Sequence, residues 1–142
     1  MKKIFFAFFC ILVAMSAVSS ASEDENYGDA VVLLEQLISI QKEYIHALKK
    51  ANKDDEIISA VNSFGDSLIT LHPKIIAVNK KYPEIRSLNK VPEKIFLLLE
   101  SSKQYNKKIH DMTLLMVYRF SYNENFKKAI DKMHSRLVSY EN

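Results

Sequence analysis

Glu43-x-x-His46 and Asp131-x-x-His134 are the residues of this chain best spaced for metal chemistry. A carboxylate and an imidazole three residues apart share one helix face, and with Glu100 they resemble the ligand sets by which helix bundles hold two metal ions. Such ligands must point inward. At 100° per residue, Glu43 and His46 lie roughly 145–155° from the centre of their helix's apolar seam, with Asp131 about 140° and His134 about 80° from theirs. They belong to the solvent side or the boundary, so no metal site and no cofactor is expected. His72 and His110 lie roughly 70–95° off their seams, where partly exposed packing histidines sit. Ser121 reads as a helix cap, and Ser101 and Ser102 belong to no nucleophile–base motif. The two glycines are too few for a phosphate-cradling loop. No catalytic residue is expected, and the chain reads as non-enzymatic.

Two polar residues interrupt otherwise apolar seams: Gln41 in the first long helix and Ser102 in the third. Counted from the helix starts, both lie roughly 15–18 Å along parallel helices. They should therefore share one layer, on diagonally opposed helices if consecutive helices are neighbours. Gln41 and Ser102 are the candidate ligand-binding residues. Either the layer fixes core register, or it lines a small polar cavity for water or a ligand.

Two surface groups are candidate partner-binding sites. Lys80, Lys81, Arg86, Lys90 and Lys94 make the link between the second and third helices basic. The acidic Glu23, Asp24, Glu25 and Asp29 should partly neutralise it, and if they do not, that end suits anionic headgroups or an acidic partner. At the opposite end Tyr118, Arg119 and Tyr122 combine residue types favoured in interface hot spots.

The elements that must position these groups follow from periodicity. Ile57, Val61, Phe64, Leu68, Leu71, Ile75 and Val78 recur at alternating spacings of four and three, which predicts a helix over 54–81 with a kink near 69–72 caused by Pro73. Asn52 or Asp54 can cap it. A first helix runs from about Asp29 to Ala51, with Leu34, Leu37, Ile38, Tyr44, Ile45 and Leu48 inward. A third begins at Pro92, suited to a first helical turn, and carries Ile95, Leu98, Leu99, Ile109, Met112, Met116 and Phe120. A fourth follows Ser121-x-x-Glu124, a capping-box spacing, with Phe126, Ile130, Met133, Leu137 and Tyr140 inward. Pro83 can start a short turn within the longer link. The expected fold is all-α, an up-down-up-down four-helix bundle.

The N-terminus carries an address. Lys2 and Lys3 precede an apolar run from Ile4 to Val18, and Ser19 and Ala21 suit signal peptidase. Residues 1–21 read as a cleaved secretory signal peptide, since about 15 apolar residues are short for a membrane span of roughly 20. Residues 22–142 form the single domain, exported to a periplasm or secreted. Cys10, the chain's one cysteine, falls in the removed segment, leaving no disulfide, no thiolate ligand and no thiol nucleophile. Without Lys2 and Lys3, 18 basic and 17 acidic residues remain, so the +3 charge drops to +1 and nucleic-acid binding loses its electrostatic basis.

In topology and export this reading is similar to the small exported b-type and c′-type cytochromes. The Cys-x-x-Cys-His attachment of the c′ type is absent. His134 roughly fits the helix 4 ligand of the b type, but no Met occurs between Ser22 and Asp111, so no functional residue carries over. The expected function is binding of a macromolecular partner, an unidentified protein or envelope component. The alternative is a small-ligand or cofactor carrier using the Gln41–Ser102 layer.

Overall fold

The computed structural model describes residues 27–87, 91–120 and 122–138. The segment read as a signal peptide, the acidic Glu23–Glu25, Lys90, Ser121 and the side chains of Arg86 and Leu137 lie outside the described residues. The described chain is all-helical: α1 (Gly28–Lys50), α2 (Asp54–Lys81), α3 (Pro83–Ser87), α4 (Glu93–Arg119) and α5 (Glu124–Val138). Helix α2 continues through Pro73 without a break.

Helix starts differ from the sequence reading in instructive ways. At α2 neither Asn52 nor Asp54 caps; instead the Glu56 carboxylate accepts from the backbone N–H groups of Asn52 at 2.7 Å and Lys53 at 3.3 Å. Those two contacts pull the carboxyl group below its ordinary range. Pro92 precedes the first helical residue of α4 rather than occupying it. At α5 the cap is Asn123, whose Oδ1 accepts from Asn125 and Phe126 N–H at 3.0 Å each, while its Nδ2 donates to Asp54 at 2.7 Å. The helix therefore starts with Glu124 in its first position, too early for the box with Ser121. An asparagine adjacent to the first turn is an equally good cap.

Helix α1 packs against both α2 and α4, and α2 packs in turn against α5 and α3. This overturns the diagonal placement of the helices bearing Gln41 and Ser102. The link with α3 carries the chain across the end of the assembly and sets α4 beside α1. The apolar interior divides into two clusters. One joins Ile45, Leu48, Ile57, Val61, Phe64, Ile109, Phe126 and Ile130. The other joins Leu33, Leu34, Leu71, Tyr82, Ile85 and Ile95, with no contribution from α5, which is only 15 residues long. At 1.5 Å per residue, α5 reaches about 22 Å and covers only the first cluster.

Gly65 sets how closely α2 and α5 approach. A Cβ there would stand 2.9 Å from Met133 Cγ and 3.4 Å from its Cβ. Gly65→Ala should leave stability nearly unchanged, because about 1 kcal/mol of helix propensity offsets the displacement of one flexible side chain. Gly65→Leu should cost about 1–3 kcal/mol by overpacking. Urea unfolding of both variants checks the pair. An unchanged midpoint for Gly65→Leu would mean that α5 is not seated on α2.

Candidate functional site

The polar layer lies between the two apolar clusters. Gln41, at 1% exposure, reaches from α1 to α4, and Ser102 is completely buried. Gln41 Nε2 donates to Asn106 Oδ1 at 2.7 Å, to Ser102 Oγ at 3.0 Å and to the Ser102 carbonyl oxygen at 3.3 Å. Two amide hydrogens thus face three acceptors, while the buried Oε1 has no partner among the described residues. The structure brings Gln41 and Ser102 into direct contact on neighbouring helices, leaving no room for a ligand between their bonded atoms. Asn106, unremarked in the sequence, completes the layer. It follows Ser102 by four residues, and that one-turn spacing on the same face was the available signal.

One layer along, Tyr44 lies flat on Phe64, with ring centroids 4.2 Å apart and planes 7° from parallel. Burial pushes the Tyr44 hydroxyl up to about 12, against a smaller downward pull from its hydrogen bond with Thr113 on α4. Thr113 is itself buried. The α1–α4 contact therefore holds two polar links in an apolar surround. Their side chains are amides and hydroxyls, with no carboxylate or imidazole among them. Amide and hydroxyl groups in this setting fix register, because a slip of one residue would strand them in hydrocarbon.

The ligand candidates for a di-metal centre stay apart. Glu43 and His46 are exposed, with Glu43 accepting from Ser39 Oγ at 3.0 Å. Asp131 is exposed on α5, and Glu100 pairs with Lys103 at 3.5 Å. Among the described residues no three metal-ligating side chains converge.

At the basic link, Asp29 does reach its expected partner. Its carboxylate accepts from Lys81 Nζ at 2.8 Å and from the Tyr82 hydroxyl at 2.6 Å. Tyr27 stacks on Tyr82, with centroids 4.6 Å apart, and donates to Glu84. Lys80 and Lys94 are exposed. Lys81, followed by Tyr82, holds the Asp29 carboxyl down at about 2, and Asp29 in turn raises the Lys81 ammonium. The carboxylate contact is therefore complete above the ordinary carboxylate range and disappears as pH falls through about 2. Asp29→Asn should make Lys81 acylate faster at mildly alkaline pH while Lys80 stays unchanged, as read by peptide mass spectrometry. Equal Lys81 rates in the two proteins would contradict the pair.

The remaining candidates stand on the outer surface of α4 and the turn after it. Tyr118 is 87% and Tyr122 95% exposed, and Arg119 lies 5.3 Å over the Phe120 ring. Phe120 itself packs against the first cluster. Leu114 and Leu115 are also exposed, at 47% and 69%, and extend the patch by one turn. The sequence reading passed over these two leucines. Their signal was position, since they lie opposite the seam that contains Ile109 and Thr113.

Comparison with family models, with characterised proteins and with solved structures returned no match. Among the described residues, no helix is long and apolar enough to cross a membrane. The site therefore rests on its geometry: a buried, hydrogen-bonded polar layer inside, and an apolar and aromatic ridge outside.

Proposed function

We propose that this chain is an exported, non-enzymatic helical binding protein that engages a macromolecular partner through the outer face of α4. Its first 21 residues act as a cleaved signal peptide, and the domain from Ser22 onward is an up-down-up-down bundle whose α2–α4 link crosses one end. The observation that carries the reading is the run of Leu114, Leu115 and Tyr118 on the solvent side of a helix whose inner face is already packed, continued by Tyr122 in the turn that follows. Large apolar side chains clustered at a surface mark interaction sites more often than scattered ones do.

A photo-crosslinking residue at Tyr118, expressed in the native host, tests this. The expected result is a discrete adduct in the exported fraction that disappears when Leu115→Glu is added. A protein retaining residues 1–21, or a Tyr118 that crosslinks nothing, would overturn it. The alternative, a small-ligand carrier, draws on the partnerless Gln41 Oε1. It would show as a chromophore, metal or small molecule co-purifying in stoichiometric amount and lost in Gln41→Leu.

A further inference from the structure

A groove of about 610 Å³ runs along the outer junction of α1 and α2, on the half of the molecule where the first apolar cluster lies. The stacked Tyr44 and Phe64 lie at its base, and its walls are small: Ala47 on α1 with Ala51 just past its end, and Ser59, Ser63 and Ser67 on α2. Small side chains over two turns of the α2 wall and one turn of the α1 wall leave space for the larger side chains of an incoming helix. The rim carries three carboxylates, Glu43, Asp55 and Glu56, against one ammonium, Lys50.

The ridge on α4 has the opposite character. Leu114, Leu115 and Tyr118 project from it, flanked by the exposed cations Lys107, Lys108 and Arg119 and by one carboxylate, Asp111, which pairs with Lys107. Three cations against one carboxylate oppose three carboxylates against one cation. The lengths also agree. The stretch from Lys107 to Arg119 spans about 18 Å at 1.5 Å per residue, and the groove walls 40–51 and 55–67 span about 17–18 Å. The ridge faces away from α1 and the groove opens between α1 and α2, so one chain cannot close the contact on itself.

We infer that the groove receives the α4 ridge of a second copy of this chain, giving head-to-tail self-association. The inference rests on the ridge being a recognition surface, and it assigns that surface a partner. The contact is heterologous, so two different surfaces are used and each can be disabled separately.

The test uses the protein processed and exported by its host, with mass followed by sedimentation over a wide concentration range. Wild type should show concentration-dependent association. Leu115→Glu places a carboxylate against the acidic rim, and Ser63→Arg fills the groove and repels the cationic ridge. Both positions are exposed, and circular dichroism checks that the helices persist. Each variant alone should associate at least about tenfold more weakly. An equal mixture of the two should recover association, because each contributes an intact complement. Wild type that stays monomeric throughout overturns self-association. Its failure leaves the proposed function standing if the Tyr118 crosslink to another protein persists. Association that is abolished by Leu115→Glu but untouched by Ser63→Arg indicates a symmetric ridge-to-ridge dimer and overturns the groove assignment. Two variants that fail to complement on mixing overturn it equally.

Discussion

Gln41→Glu should lower stability by about 3–5 kcal/mol at pH 7, the cost of leaving a buried charge without a compensating partner. The amide now donates toward three acceptors, Asn106 Oδ1, Ser102 Oγ and the Ser102 carbonyl. A carboxylate in its place would turn one lone-pair-bearing oxygen toward the Ser102 carbonyl and Asn106 Oδ1 where Nε2 now donates, and leave the other in the partnerless position of Oε1, in a layer at 1% exposure. The substituted carboxyl should titrate above the ordinary range, because burial disfavours its charged form. The sign follows directly: the deficit relative to wild type is largest above that raised value and shrinks as pH falls through it, since the neutral acid can donate one O–H to the same acceptors. Gln41→Leu should cost less, about 1–2 kcal/mol, because it removes donors without stranding a charge. Urea unfolding of the three proteins at pH 7 and pH 4 measures both effects. Gln41→Glu as stable as wild type at pH 7 would mean that water enters the layer freely.

The second large effect belongs to Tyr44. Its ring fills the junction of α1, α2 and α4 against Phe64, and Tyr44→Ala should cost about 3–5 kcal/mol through lost burial and an incompletely collapsed cavity. Tyr44→Phe keeps the stack and loses only the contact with Thr113, about 1 kcal/mol. The two variants therefore separate packing from hydrogen bonding at one position. A pH signature accompanies them. The folded hydroxyl is pushed up to about 12 from the ordinary 10.0, so the unfolded chain loses this proton first as pH rises. Wild-type stability should then fall between about pH 10 and pH 12, and Tyr44→Phe should fall less over that window. Matching alkaline profiles for the two proteins would place the Tyr44 hydroxyl in solvent.

Sequence and structure agree where information is local. Spacings of three and four among Ile57, Val61, Phe64, Leu68 and Leu71 require one helix face to be apolar, and that face is buried in α2. The short helix after Tyr82 follows from Pro83, whose fixed backbone angle suits a first turn. The contact of Asp29 with Lys81 was legible because the short turn at 51–53 folds α2 back along α1, which brings the acidic start of α1 beside the basic end of α2. The caps were less legible. Ser121, Asn123 and Glu124 offer competing start points, and which side chain reaches a free N–H depends on backbone angles that residue type does not set.

By itself the sequence determined the helical segments, the inward face of each, and the height at which Gln41 and Ser102 interrupt those faces. Periodicity is a one-dimensional quantity, so it specifies rotation about a helix axis and distance along it. The choice of neighbours was decided only by the tertiary structure. Setting α4 beside α1 turns Gln41, Ser102 and Asn106 from three residues at similar height into one bonded layer. The same choice leaves Leu114, Leu115 and Tyr118 outside, since a helix with one face buried in its neighbours must turn the other to solvent. The groove is likewise tertiary in origin. Ala47, Ser59 and Ser63 become a cleft only when α1 and α2 lie side by side and their short side chains leave the junction open.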